Sequence, residues 1–218
     1  MSRTRKFLSL IINGYLAIST IVIFVLYFFS TGQVDTQLFG FHGTQNLIFY
    51  TVDSNILMAL CGILMIVFLL RGKEKLARPW SLFIMASAVS VGVTFATVAL
   101  FLSPGMALSG RGYFSLFQGD NLFFHFLNPV LGCIDFIWFI PHRKFTVREC
   151  FYGIIPTAIY AVVYVLNVVI LETWPDIYNF TFGGHKGLAP VVVLVMLALA
   201  FAIALLLTRL HNRAGRHH

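Results

Sequence analysis

Six apolar runs decide what this chain can become. They cover about residues 7–29, 47–70, 80–102, 121–140, 150–171 and 188–208. Each is long enough to cross a hydrocarbon core of roughly 30 Å as a helix. Lipid gives no hydrogen bonds to a backbone, so helical runs of this length are the natural way to span it. The chain is 59% hydrophobic and 11% charged, far from the quarter charged of a soluble domain. The pattern predicts an all-α polytopic membrane protein, one six-transmembrane-helix bundle over residues 1–218.

The basic residues predict the orientation. Arg3, Arg5 and Lys6 precede the first run; Arg71, Lys73, Lys75 and Arg78 join the second to the third. Arg143, Lys144 and Arg148 join the fourth to the fifth, and Arg209, Arg213 and Arg216 follow the sixth. That is thirteen of the fifteen Lys and Arg; Arg111 and Lys186 fall on the other side. Such a bias places both termini in the cytoplasm. The net charge of +7 is therefore an orientation signal. It is split among four short segments with no dense patch, so no nucleic-acid partner is expected.

The first run follows a basic start, as a signal peptide does. It is too long for one and no small-residue cleavage site follows, so a retained anchor is expected. Cys61 and Cys133 lie inside runs and Cys150 lies at the cytoplasmic face, where they read as small core hydrophobes. No HExxH, CxxC, P-loop or GxGxxG fingerprint is present, so neither metal nor cofactor is expected.

The outer connections are the longer ones. Residues 30–46 carry Gly32, Gly40, His42 and Gly43, and residues 103–120 carry Pro104 and Gly105. Residues 172–187 carry Trp174, Tyr178, Phe180 and Phe182. Aromatics there usually anchor a span at headgroup level; a lid over an outward-facing site is the sharper alternative.

Polar residues inside a span face protein or water, and their direction follows from 100° per residue. Thr51, Ser54, Asn55 and Met58 share about 100° of arc, with Asp53 nearly opposite. His125, Asn128, Gly132 and Asp135 share about 80°, as do Pro156, Tyr160, Tyr164 and Asn167. Three helices thus offer one polar face each. Asp135 falls about 21 Å from the outer face, where Arg143 is the expected partner. Thr51 and His125 each lie about 6 Å in from the outer side.

A hydroxyl and an imidazole at one depth suit a nucleophile and its base. Asp120 or Asn121 is placed to cap the helix that carries His125. Ser54, Asn55 and Asn128 are candidate oxyanion donors, and Tyr160, Tyr164 and Asn167 complete a candidate substrate site. The plainer alternative stays open, because Thr, Ser and Asn in spans commonly bond neighbouring helices, and Pro156 with two tyrosines suits a packed kink.

Phe49-Tyr50-Thr51-Val52-Asp53-Ser54-Asn55 resembles a Phe-x-Thr-x-x-Ser-Asn pattern of a bacterial six-span family. His125 to Pro129 and Asp135 to Trp138 resemble its His-x3-Pro-x5-Asp-aromatic run, and Pro156, Tyr160 and Tyr164 its Pro-x3-Tyr-x3-Tyr run. These proteins are similar to the androgen-induced and androgen-dependent TFPI-regulating proteins, multi-span threonine hydrolases of fatty acid esters of hydroxy fatty acids. In the eukaryotic pattern Asn follows Thr more closely, without the Asp53-Ser54 pair. The resemblance implies a bacterial plasma-membrane lipid esterase with Thr51 as nucleophile and His125 as base, a fatty acyl ester as substrate, and no cofactor. Two other classes fit the same residues: a non-catalytic lipid or small-molecule carrier, and an assembly protein whose polar residues only join helices.

Overall fold

The computed structural model describes residues 3–29, 43–73, 75–141 and 143–215. Gly32, Gly40 and His42 of the first connection, and Arg216 of the tail, lie outside the described residues. Among the described residues all regular structure is helical.

Helix α1 is Arg3–Phe29 and α2 is Tyr50–Leu70, entered through a 3-10 turn at Gly43–Ile48. Helix α3, Arg78–Thr97, runs through a π-helical turn, Val98–Leu102, into α4, Ser103–Leu108. Helix α5, Asn128–Ile134, sits between π-helical turns at Phe123–Leu127 and Asp135–Phe139. Helices α6, Cys150–Gly153, and α7, Ile155–Val165, form one apolar rod broken at Ile154, with Pro156 in the first turn of α7. Helix α8 is Ala189–Ala214.

Five helical stretches are long and apolar enough to cross a membrane: Arg3–Leu26, Tyr50–Leu70, Arg78–Leu108, Val147–Ile170 and Lys186–Ala214. The run expected as the fourth span is apolar over Phe123–Phe139 but shorter. The ends of the long helices also shift from the sequence reading. The last extends from the expected 208 to Ala214 because Thr208 and His211 turn inward and are buried.

Helix α3 is the axis of the bundle. Met85, Ala88, Val89, Val91 and Val93 have no exposed surface. It packs against α2 and α5 on one side and α6, α7 and α8 on the other, with α1 covering α2 and α5. Small residues permit the close approaches. A Cβ on Gly132 of α5 would meet Met58 Cε at 2.5 Å, and one on Gly62 of α2 would meet the Asn13 carbonyl oxygen of α1 at 3.0 Å. Phe7, Ile11 and Ile18 of α1 and Val191, Leu194 and Val195 of α8 point outward and are exposed. An exposed apolar girdle of this kind fits lipid as its surroundings.

The end of the bundle that carries the basic residues is tied by Glu149. Its carboxylate takes Arg78 Nε at 3.1 Å and also pairs with Arg143. It accepts the Thr146 amide at 2.8 Å in a reciprocal capping box. The expected Asp135–Arg143 pair is not formed. Arg143 goes to Glu149 and Ser81, while buried Asp135 accepts from Ser9 Oγ of α1 at 3.3 Å. The connection after residue 140 turns Arg143 toward α3 and α6, away from the α1 side where Asp135 lies. Asn212 closes the same connection through both the amide and the carbonyl of Phe145, at 2.9 and 2.8 Å.

Candidate functional site

Proline builds the first half of the polar interior. In the π-helical turn the Asn128 amide bonds Phe123 O, so the next bond in that register would run from residue 129 to Phe124 O. Residue 129 is proline and has no N–H. Asn55 supplies the donor instead: its Nδ2 gives one hydrogen to Phe124 O at 3.1 Å and the other to Thr51 O at 2.8 Å. Asn55 Oδ1 accepts from Asn128 Nδ2 at 3.0 Å, whose second hydrogen goes to Thr20 Oγ1 at 3.3 Å. Ser19 Oγ donates to Asn128 Oδ1 at 3.0 Å. This seam joins α1, α2 and α5. Asn55 and Asn128 have no exposed surface. Both amide hydrogens of each are taken within the protein, so in this arrangement neither offers a donor to an oxyanion.

Ser54 faces another neighbour. Its hydroxyl shares a 2.8 Å hydrogen bond with Thr94 Oγ1 of α3 and lies 3.0 Å from Thr51 O. The residues expected on one face of α2 therefore divide between α3 and α5. Thr51 stands between them, about 60° from Ser54 and about 40° from Asn55 around the helix.

His125 is buried inside the π-helical turn. Its Nδ1 lies 2.6 Å from Leu116 O, in the 3-10 turn Tyr113–Phe117. A carbonyl only accepts, so Nδ1 carries the hydrogen and the neutral ring keeps Nε2 as an acceptor. That is the tautomer a general base needs. The aromatic rings of Phe117, Phe126 and Phe95 close over this end of the bundle. The Asp120 carbonyl opens the helix by accepting the Phe123 and Phe124 amides at 3.1 and 3.3 Å, but its Oδ1 takes only the adjacent Asn121 amide at 3.0 Å, so the side-chain cap expected there is not formed. Its Oδ2 is buried with no partner among the described residues.

Tyr160 and Tyr164 belong to a separate aromatic cluster. The Tyr178 phenol accepts the Tyr50 amide at 3.0 Å at the first turn of α2. Tyr160 donates to Ile48 O, and Tyr50 shares a 2.7 Å bond with Thr157. Tyr164 donates to Asp176 Oδ1 at 3.0 Å and accepts the Tyr178 amide at 3.0 Å. The connection through residues 174–181 thus folds onto the open ends of α2 and α7. Burial pushes the Tyr178 phenol up to about 12, against the lowering effect of the Tyr50 amide and of the Tyr160 and Thr51 side chains. Burial also works to raise Asp176, but the amides of Thr181 and Phe180 and the hydroxyls of Thr181 and Tyr164 outweigh it and hold the carboxyl below its ordinary range. Asn167 stands apart from this cluster. It accepts Thr173 Oγ1 at 2.8 Å and closes the end of the helix.

A groove of about 700 Å³ lies between α2, α3 and the α6–α7 rod. Its walls are Leu57, Leu82, Phe83, Ala86, Ile155 and Ile159. Tyr50, Asp53, Ser54, Tyr160 and Trp174 line its other end. Its lining includes neither Thr51 nor His125. Asp53, expected on the far side of α2 from the functional face, is half-buried in this wall. The sequence signal was present: a carboxylate inside an apolar run is a functional candidate by default. Asp176 carried no such signal, because its role depends on how the connection folds back; Tyr178 stands out only as an interface aromatic or part of a lid, and it folds onto α2 and α7.

Among the described residues no group of three or more His, Cys, Asp or Glu could hold a metal ion. No protein-family model, curated protein or solved structure matches the chain.

Proposed function

We infer that this protein takes a long-chain lipid from the bilayer into the groove between α2, α3 and α7. The groove itself carries the reading: an apolar channel of about 700 Å³ with polar groups at one end is the shape of an amphiphile. Phe83, Ile155 and Ile159 are exposed on the bundle surface at its flank, which gives lateral access from lipid. In this reading the Phe123–Phe139 helix is the sixth crossing, and the end bearing Glu149 and its arginines faces the cytoplasm.

The test is photolabelling of the full chain with a fatty acid carrying a diazirine on its alkyl tail, followed by peptide mapping. Labels are expected on the α3 and α7 walls, and Ala86→Trp, which fills the groove, is expected to reduce them about tenfold. Labels spread evenly over the lipid-facing helices, unchanged by Ala86→Trp, would overturn the reading.

A second reading is favoured by one observation, the Nδ1–H tautomer of His125, which leaves Nε2 as a base. In it the bound lipid is an ester. Thr51, about 60° around α2 from Ser54 and outside the groove lining itself, attacks the carbonyl, His125 takes the hydroxyl proton and returns it to the leaving alcohol, and water releases the acyl group from Thr51. A fluorophosphonate adduct mapped to Thr51 and lost in His125→Ala would support hydrolysis. Full esterase activity in Thr51→Ala would end it.

A further inference from the structure

The polar end of the groove is unbalanced. The Ser54 hydroxyl is engaged with Thr94 and Thr51 O, and Tyr50 with Thr157. Tyr160 donates to Ile48 O, and Ser90 donates to Ala86 O of its own helix at 2.8 Å. These hydroxyls are committed inside the protein. What remains is the Asp53 carboxylate, which only accepts, and the Trp174 indole, whose single N–H carries no charge.

Among the described residues no side chain pairs with Asp53. On its side of the bundle Lys186 is held by Glu172, and Arg111 sits on the turn beyond α4. Arg78 and Arg143 are engaged with Glu149 at the opposite end. A carboxylate half-withdrawn from water beside apolar walls is costly until a cation meets it. The rings of Tyr50, Tyr160 and Trp174 in the same lining add faces that also attract cations.

The distance to the far end sets the tail. The Ser54–Thr94 bond fixes the level of Asp53 on α3. Thr94 is fifteen residues, about 22 Å, from Pro79 at the other end of the groove. That exceeds half of a hydrocarbon core of roughly 30 Å, so the groove accommodates one long chain laid parallel to the helices.

We propose that the occupant is a single-chain amphiphile with a primary ammonium head, the ammonium on Asp53 and the alkyl tail along α3 and α7 toward Pro79. This rests on the lipid-binding reading above and adds the headgroup that the site selects. The ammonium supplies both missing properties, a positive charge and hydrogen-bond donors.

The experiment is competition against a fluorescent fatty-acid probe on the full chain in neutral detergent. The competitors are octadecylamine, octadecanol and octadecanoic acid. The amine is expected to displace the probe at about one tenth of the alcohol's concentration, with the acid weakest. Asp53→Asn should erase the preference for amine over alcohol, and displacement of the probe by the alcohol in that variant shows that it is folded. Asp53→Glu should retain a preference for the amine. Equal displacement by amine and alcohol in the unmodified protein, or an amine preference that survives Asp53→Asn, overturns the headgroup assignment and leaves the groove standing. Failure of all three competitors, with the probe itself not bound, overturns the lipid-binding reading beneath it.

Discussion

Two sides of α2 treat polarity in opposite ways. Toward α1 and α5, Asn128 gives its amide hydrogens to Asn55 Oδ1 and Thr20 Oγ1, and Asn55 gives its own to two backbone carbonyls. Toward α3 and α7, Asp53 lines a groove and pairs with no described residue. The first side is closed and its polar atoms hold helices together. The second is open and keeps one acceptor unanswered. Polar groups inside a bilayer do not by themselves indicate function; the informative property is whether the protein has already satisfied them.

If that contrast is right, damage to the two sides has different consequences. The largest effect is expected from Asn128→Leu. It removes three hydrogen bonds and leaves Asn55 Oδ1 and the Ser19 and Thr20 hydroxyls without that partner. The expected loss is about 2–3 kcal/mol in reversible unfolding, with groove binding lost only as the fold is lost. Unchanged stability would show that packing alone joins α1, α2 and α5. Next is Gly62→Ala, whose new Cβ would sit 3.0 Å from the Asn13 carbonyl oxygen. Backbone cannot swing aside as a side-chain tip can, so α1 must move off α2. A loss of about 1–2 kcal/mol is expected, measured by the same unfolding.

The sequence makes the spans legible because lipid demands unbroken apolar runs, and it makes the ends less so. Thr208, His211 and Asn212 lower the hydropathy of the last run although they continue α8 by facing protein. The helical wheel puts Thr51, Ser54 and Asn55 on one face, but it gives direction without saying what stands there. Helix α3 meets Ser54 and α5 meets Asn55, so one face serves two neighbours. The same wheel pointed Asp53 away from the others and so discounted it, whereas the groove lies on that flank. That Asn55 joins helices is the plainer alternative the sequence offers, but its acceptor is not legible. It donates to Phe124 O in a π-helical turn ahead of Pro129, and no periodicity of 3.6 residues announces such a turn.

The aromatic cluster sharpens the comparison by pH. Asp176 is held below its ordinary range, against the effect of burial, by donors from Thr181, Phe180 and Tyr164. Its contribution is therefore present above about pH 4 and is lost as pH falls through the depressed folded value. The carboxyl is partly exposed, so screening limits the effect to about 1 kcal/mol. Acidification should loosen the connection at residues 174–181 before the seam, which contains no titratable side chain among Ser19, Thr20, Asn55 and Asn128. Hydrogen exchange at the Phe180 and Thr181 amides reads this directly. Asp176→Asn should remove most of the pH dependence at those amides, and exchange that rises equally at the Asn55–Asn128 level would show a general acid unfolding instead.

The smallest expected effect on stability is the most discriminating. Asp53→Asn keeps shape and removes charge. In the seam, an equally modest change breaks bonds on several helices. At Asp53 there is no described partner to lose, and a neutral amide is easier to keep beside apolar walls than a carboxylate. The unfolding free energy is therefore expected to stay within about 0.5 kcal/mol, or to rise. A residue that holds a structure together cannot be neutralised without cost, whereas one retained for a ligand can. A drop of about 2 kcal/mol or more would mean that Asp53 has a structural partner and that the groove is packed closed in the working protein.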